Sequence, residues 1–271
     1  MMEYALLASG SKGNCFLLKD EGTTIQIDCG TTQKYLKECF NKLNHDVQDT
    51  DALFITHDHS DHISQIKMFK DLTVYSPVEI EQVDTMKVTP NQPIFVNNLK
   101  VTPIALSHDA LNTVGYVIED GIEKLVYVTD TGYLNQKYYP LLRDADYIVM
   151  ESNHDISMLM QTRRPHYVKA RINSDNGHLN NEACAEALTH ILTKKTKQVI
   201  LAHISREGNT SEKALEVNKE ILLSTCKDKF NDQLIVSSAK QFEMIIRSNN
   251  DEETYPGSTC WFAGMECSTN H

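Results

Sequence analysis

The chain has 271 residues, of which 41% are hydrophobic and 23% are charged, and its formal net charge is −11. This composition is typical of a globular protein. It excludes a disordered chain, and no apolar run approaches the roughly 18 residues that a membrane-spanning helix needs. The negative charge argues against a surface that coats nucleic acid nonspecifically, since such binding rests on many Lys and Arg contacts to phosphate.

The cysteines and the N-terminus indicate the compartment. The first residues lack the positive charge and the apolar length of a secretion signal. Seven cysteines are scattered without a Cys-x-x-Cys pair, and an odd count suits free thiols in a reducing compartment. We therefore expect a cytoplasmic protein whose cysteines bind no metal.

The N-terminal third begins with short strands separated by turn-rich residues, predicted at 3–8, 15–20 and 23–28. Apolar residues recur at three-to-four spacing over 33–43, which predicts a helix. The apolar run 52–56 predicts a buried strand. After it, Ser60 is placed to cap a helix that begins near Asp61.

The second half contains further strand and helix patterns. The predicted strands are 100–106, 113–120, 124–130, 146–152, 198–203 and 233–238. The predicted long helices are 181–192 and 211–223. Strands flanked by helices predict an α/β fold of two packed sheets with helices outside. No Pro-, Gly- or Ser-rich linker divides the chain, which favours a single domain.

The last stretch has no periodicity and holds the only tryptophan, Trp261. We expect a main domain over residues 1–247 and a C-terminal tail over 248–271. An ordered flap, a partner contact and a mobile tail are all compatible with the composition of this tail.

Metal-ligating side chains are concentrated in residues 56–62, THDHSDH, which follow the predicted buried strand. Unpaired charges are costly to bury there, so a multivalent cation would supply the missing charge and coordination. In an extended segment His57 and His59 can face one ion, while the turn into a helix aims Asp61 and His62 toward a second. A chance cluster on a solvated loop is the alternative.

Three further residues of this kind follow apolar strands, namely His108 after VTPIAL, Asp130 after LVYV and His203 after QVIL. The carboxyl edge of a sheet is where α/β proteins tend to assemble their sites. Each residue alone could be an ordinary solvated side chain. The recurrence of one context favours a shared metal site.

These motifs resemble those of metallo-β-lactamase-fold hydrolases, whose H-x-H-x-D-H signature matches HDHSDH. More narrowly, LASGSKGNC, TDTGY, ESNHD, GHLNNEACAEAL and LAHIS resemble the YycJ/WalJ branch, relatives of RNase Z and of PhnP-type phosphodiesterases. The likeness runs from about Tyr4 to Ser238. It implies an αββα sandwich, in which two packed mixed sheets are flanked by helices.

The resemblance implies two divalent metal ions per chain. One ion would be held by His57, His59 and His108, the other by Asp61, His62 and His203, with Asp130 bridging. Imidazole with carboxylate and without thiolate suits Zn²⁺, Mn²⁺ or Fe²⁺. Two such ions roughly 3.5 to 4 Å apart can share a hydroxide and direct it at a bound electrophile, so hydrolysis is the expected reaction.

The resemblance also implies a general acid, because a histidine in a similar motif of RNase Z and PhnP relatives protonates the departing oxygen. That role falls to His178 in GHLNN, and Glu151 in MESNH is placed to orient it. The catalytic set would therefore be Asp61, His178 and Glu151. A helix-capping histidine and a surface glutamate are the alternative.

Substrate contacts are predicted in three segments. The stretch TRRPHYVKAR could guide a phosphodiester backbone or form a solvated helix face, and its cations are Arg163, Arg164, Lys169 and Arg171. His154 in SNHD could approach the metals, contact a terminal phosphate or cap the next helix. SGSKGN could offer backbone amides to an anion or form a tight hairpin turn, and its polar residues are Ser9, Ser11 and Asn14.

The features together predict a dinuclear-metal-dependent phosphodiesterase that acts on nucleic acid by attack of a metal-bridged hydroxide on phosphorus. The branch resemblance implies a 5′-to-3′ exonuclease with DNA rather than RNA as substrate. No Gly- and basic-rich insertion resembles the tRNA-binding arm of RNase Z. The alternatives are hydrolysis of a small phosphodiester such as a cyclic nucleotide, hydrolysis of a β-lactam or thioester, and a noncatalytic metal- or DNA-binding module.

Overall fold

A computed structural model describes residues 1–248 and 260–262. The strands are β1 (Glu3–Ala8), β2 (Cys15–Asp20), β3 (Thr23–Ile27), β4 (Ala52–Phe54), β5 (Thr73–Ser76), β6 (Thr85–Lys87), β7 (Ile94–Val96), β8 (Leu99–Ala105), β9 (Val114–Glu119), β10 (Lys124–Val128), β11 (Tyr147–Glu151), β12 (Gln198–Ala202), β13 (Ile235–Ser238), β14 (Ile245–Arg247) and β15 (Cys260–Phe262). The helices are α1 (Gln33–Lys42), α2 (Ser60–Ile63), α3 (Tyr139–Leu142), α4 (Ile156–Gln161), α5 (His166–Ile172), α6 (Asn181–Ile191) and α7 (Ser211–Cys226). Among these, no helix combines the length and apolar character needed to cross a membrane.

The strands form two mixed sheets. The first sheet has the order β14-β1-β2-β3-β4-β5-β6, and β3 to β6 pair in parallel. The second has the order β15-β13-β12-β11-β10-β9-β8-β7, with β10 to β13 parallel. Parallel neighbours carry their C-terminal ends to one edge, which is where the predicted ligands follow the strands.

The main core lies between the two sheets. The ring of Tyr4 lies 5.3 Å from that of Tyr147, and the ring of Phe16 lies 5.3 Å from that of Tyr127, each pair joining the first sheet to the second. Two further apolar clusters pack helices α6 and α7 on the outer face of the second sheet and α1 on that of the first. The predicted α/β sandwich of two sheets flanked by helices is therefore confirmed.

The long predicted helices and most predicted strands are confirmed within a few residues of their ends. Strands β5, β6, β7, β14 and β15 were not predicted, because each is only three or four residues long, which leaves too few positions for an alternating pattern. The predicted cap at Ser60 is wrong. The amides of His62 and Ile63 already bond to the carbonyl of His59, so His59 occupies the cap position and Ser60 is the first helical residue.

Part of the C-terminal tail is described. Cys260–Phe262 pairs antiparallel with β13 at the edge of the second sheet. The rest of the predicted tail, 249–259 and 263–271, lies outside the described residues.

Candidate metal centre

The predicted ligands lie just beyond strand ends. His57 follows β4, His108 follows β8, Asp130 follows β10 and His203 follows β12. Asp130 (φ 59°) and His203 (φ 53°) adopt the left-handed backbone conformation that non-glycine residues seldom use. Such strain persists only where the surrounding structure fixes the residue, and it is common at functional sites.

The structure brings all seven predicted ligands together. Candidate ligand atoms lie within 4.8 Å of one another in several groups, which include His57 with His59 and His108, and Asp61 with His62 and His203. Asp130 lies between these two groups. Its Oδ2 is 3.2 Å from His62 Nε2, and its Oδ1 is 3.8 Å from His108 Nε2.

The chemistry of these groups fits divalent cations. His57 Nε2 and His203 Nε2 are buried and have no hydrogen-bond partner in the described part of the chain. Buried polar atoms are normally paired, so two such atoms facing one cluster indicate a partner that is not a protein group. Neutral imidazole nitrogens and a carboxylate oxygen are ligands of Zn²⁺ and similar metals.

Asp28 holds His62 from behind, a contact that sequence analysis missed. Its Oδ2 lies 2.7 Å from His62 Nδ1, and both of its oxygens accept hydrogen bonds from Thr56. Burial opposes protonation of His62, but the charges of Asp28 and Asp130 outweigh it and raise the pKa of His62. Asp28 ends the predicted strand TTIQID, so the rule that selected Asp130 would also have found it.

The SGSKGN turn lies against the same histidine and is a tight turn, since Gly13 N donates to Gly10 O. Asn14 N donates to Asp61 O at 2.8 Å, and Asn14 Nδ2 is 2.9 Å from His62 Nε2.

The neighbouring backbone leaves no room for a side chain at Gly30. A Cβ there would lie 1.6 Å from Asp61 O.

Ser9 Oγ accepts a hydrogen bond from His203 N at 2.7 Å, whereas Ser11 is exposed and bonds to none of the ligands in the described part.

Glu151 connects His178 to His203. Its Oε1 accepts hydrogen bonds from Nδ1 of His178 and from Nδ1 of His203, both at 2.8 Å. Its Oε2 accepts from the amides of Thr131 (2.7 Å) and Leu179 (3.3 Å). Burial opposes the charge of Glu151, but the two histidines outweigh burial and lower its pKa to about 2. The carboxylate is therefore fully buried yet ionised, and it fixes which way both rings face.

The predicted cations of TRRPHYVKAR have different surroundings. Arg171 pairs with Asp109, whose Oδ1 is 3.2 Å from His108 Nε2 and 3.8 Å from His59 Nε2. Arg171 thus lies at the mouth of the cluster. The other three have partners elsewhere or none in the described part. Arg164 pairs with Glu207, Lys169 bonds to the carbonyl of Met160, and Arg163 is exposed.

His154 is buried and does not cap the next helix. Asp155 is the cap of α4, since its side chain accepts from Met158 N. His154 Nε2 lies 3.1 Å from Asn173 Oδ1, and its Nδ1 has no partner in the described part. Desolvation lowers the pKa of His154, which keeps the ring neutral. The contact with Asn173 secures the loop that leads to His178.

Comparison with known proteins identifies the class. A family profile described as "Beta-lactamase superfamily domain" matches residues 23–204. Solved structures agree in fold. The metallo-β-lactamase fold protein YhfI from Bacillus subtilis is similar with a TM-score of 0.68, at 18% identity, over 91% of this chain and 99% of that one. A diphosphatase from the PhnP family is similar with a TM-score of 0.60, at 15% identity, over 91% and 98%. The chain belongs to the metallo-β-lactamase superfamily and is a hydrolase of that fold.

Its branch follows from the curated relatives. The chain is 32% identical to exodeoxyribonuclease YycJ of Bacillus anthracis over 227 residues, 79% of this chain and 86% of that protein. It is 30% identical to exodeoxyribonuclease WalJ of Streptococcus pneumoniae serotype 2 over 228 residues, 78% and 85% of the two chains. The resemblance to the YycJ/WalJ branch is confirmed.

Proposed function

We propose that the chain is a phosphodiesterase that uses two divalent metal ions to hydrolyse nucleic acid, and that it degrades DNA from a 5′ end. The observation that carries this proposal is the position of His178. It is hydrogen-bonded to Glu151, 19% exposed, and its ring centroid lies 5.0 Å from that of His108 and 5.1 Å from that of His203. A proton donor beside a metal centre suits a leaving group that departs as an alkoxide, as in phosphodiesters.

The metal ligands of this proposal are the two groups of three described above, with Asp130 between them. Zn²⁺, Mn²⁺ and Fe²⁺ all suit imidazole and carboxylate. When bound, the ions supply Lewis acidity and an activated water for attack on phosphorus. Asp28 and Glu151 hold Nδ1 of His62 and of His203, which fixes the direction in which each ring presents its Nε2.

The chain's own residues then complete the reaction. The attacking water loses a proton to solvent as its oxygen bonds to phosphorus. The bond from phosphorus to the leaving oxygen breaks, His178 gives its proton to that oxygen, and His178 then regains a proton from solvent. Glu151 keeps the ring of His178 in place throughout. Arg171 contacts a phosphate of the strand after exchanging Asp109 for it, because a guanidinium fork matches phosphate oxygens.

The relatives supply the substrate class. The two curated relatives are named exodeoxyribonucleases, which supports nucleic acid, and DNA in particular, as the substrate here. We further propose that residues 1–247 form the catalytic domain, to whose second sheet Cys260–Phe262 adds an edge strand. Cys15, Cys29, Cys39, Cys184 and Cys226 are free thiols, which supports a cytoplasmic location.

The test is a substrate panel on protein reconstituted with Zn²⁺ or Mn²⁺. End-labelled 5′-phosphorylated duplex DNA, single-stranded DNA, RNA and cyclic mononucleotides are compared, and metal content is measured by mass spectrometry. We expect about two ions per chain and products that shorten from the 5′ end of DNA. Turnover of cyclic mononucleotides alone would replace this proposal by a small-molecule phosphodiesterase. β-Lactam or thioester hydrolysis that survives His178→Ala, without phosphodiester cleavage, would refute it.

A further inference from the structure

A cavity of about 420 Å³ is lined in part by Leu179, which follows His178 in the chain, and has no role in the chemistry described above. Tyr133 lies on one wall, three residues beyond Asp130, and its carbonyl accepts a hydrogen bond from Thr131 Oγ1 at 2.7 Å. The floor includes Leu179. The backbone amide of Leu179 donates a hydrogen bond to Glu151. Both sides of the cavity are therefore tied to residues of the catalytic site.

The lining is aromatic and acidic rather than cationic. Of the described residues that line the cavity, none is Lys or Arg, and Glu186 contributes a carboxylate. A phosphate would be repelled there. The other polar groups are the rings of Tyr133 and Tyr139 and the side-chain amides of Asn135 and Gln136. Flat faces beside amide donors and acceptors are what a heterocyclic base requires.

Tyr133 is the side chain best suited to stack on such a base. It is 45% exposed, although large apolar side chains next to it are buried, such as Leu134 at 6% and Leu179 at 1%. An exposed ring beside a covered apolar floor offers one free face to a ligand. Stacking on an aromatic ring is insensitive to base identity, which suits an enzyme that removes successive nucleotides of any sequence.

We propose that this cavity binds the nucleobase next to the scissile phosphate, with Tyr133 as its stacking platform. The inference rests on the proposed function, since it assumes a nucleic acid strand at the metal centre. It assigns Tyr133 a substrate-positioning role without a part in proton transfer. Glu186 and the amides of Asn135 and Gln136 would contact the edge of the base.

The experiment compares Tyr133→Ala with Tyr133→Phe and with Phe95→Ala. Phe95 is 67% exposed on β7 and does not line the cavity, so it is a matched control. We expect Tyr133→Ala to raise KM for an oligonucleotide about tenfold with a smaller change in kcat. Tyr133→Phe and Phe95→Ala should stay near wild type. Kd of a labelled oligonucleotide for the metal-free protein, measured by fluorescence anisotropy, should rise for Tyr133→Ala alone.

Abasic substrates give the decisive arm. An oligonucleotide that lacks the base beside the cleaved bond should bind the wild type about tenfold more weakly, and Tyr133→Ala should show no further loss. Ala183→Leu, which fills the cavity from α6, should reproduce the loss if Tyr133→Ala does not fold. Equal KM values and equal abasic penalties in wild type and Tyr133→Ala would overturn this inference while leaving the nuclease proposal standing. Failure of the wild type to cleave any oligonucleotide would overturn both.

Discussion

Replacing Glu151 by Gln tests how the proposed general acid is held, because it replaces one carboxylate oxygen by an NH₂ group and keeps the size of the side chain. The native carboxylate accepts four hydrogen bonds, two from the imidazoles of His178 and His203 and two from the amides of Thr131 and Leu179. The amide of Gln carries one acceptor oxygen and one donor NH₂ group. Whichever oxygen of Glu151 the NH₂ group replaces, two N–H groups that donated to that oxygen would then face a donor.

The size of the effect follows from those lost contacts. Hydrogen bonds to a charged group contribute about 1.5–3 kcal/mol each. Because the variant loses two of them, either an imidazole ring or the backbone amides beside it are no longer held in place. General acid catalysis contributes about 10²–10⁴ in rate. We expect kcat on an oligonucleotide to fall at least about 100-fold. A p-nitrophenyl phosphodiester should lose less than about tenfold, since its leaving group needs no proton.

The assay measures kcat and KM on both substrates, with metal content determined on the same samples. Glu123→Gln is the matched control. Glu123 is also a buried acceptor, bonded to Tyr147 Oη at 2.8 Å and to Lys197 Nζ at 2.7 Å. Tyr147 is the first residue of β11 and Glu151 is the last, so Glu123 lies at the end of β11 away from the site. Loss of equal size on the two substrates, with full metal content, would refute the acid-positioning role of Glu151. Full activity of the variant on DNA would do the same.

Four other changes have defined outcomes. Asp61→Ala should abolish turnover and lower the metal content by about one ion per chain, and unchanged turnover would contradict the dinuclear proposal. Asp28→Asn should weaken metal affinity about 10–100-fold in a chelator competition, because it releases His62. Arg171→Ala should weaken DNA binding and reduce the slope of log Kd against log salt, with kcat nearly constant. Glu123→Gln should lower the free energy of unfolding by about 1–3 kcal/mol at pH 7. Burial opposes the charge of Glu123, but Lys197 and other donors lower its pKa, so this stability is present above pH 4.5 and should vanish in acid denaturation scans as the pH falls below it.

The metal centre was the part of the site most accessible from sequence. Strand ends at His108, Asp130 and His203 repeat one local pattern, and each of these ends lies at the same place in the fold. What sequence missed is contact between segments far apart in the chain. Asp109 and Arg171 meet across 62 positions, and no periodicity or spacing predicts such a pair.

The basic stretch illustrates the same limit. Its cations have the same residue types and neighbouring positions, yet Arg164 pairs with Glu207, Lys169 bonds to a carbonyl, and only Arg171 points at the cluster among the ion pairs of the described residues. Helices α4 and α5 are six and seven residues long, too short for a helical period to emerge clearly from sequence. The direction in which each basic side chain points is set by how these short helices pack in the tertiary structure.

The net charge of the sequence counts several carboxylates that are buried in the assembled site. Asp28, Asp130 and Glu151 are at most 2% exposed, and each faces imidazole groups, so these carboxylates contribute little field at the surface. A tally of −11 therefore overstates how strongly the exterior repels a polyanion. Composition rightly argues against a surface that coats nucleic acid. It does not bear on the proposed strand, which would enter at one mouth, where Arg171 and the proposed metal ions would supply positive charge locally.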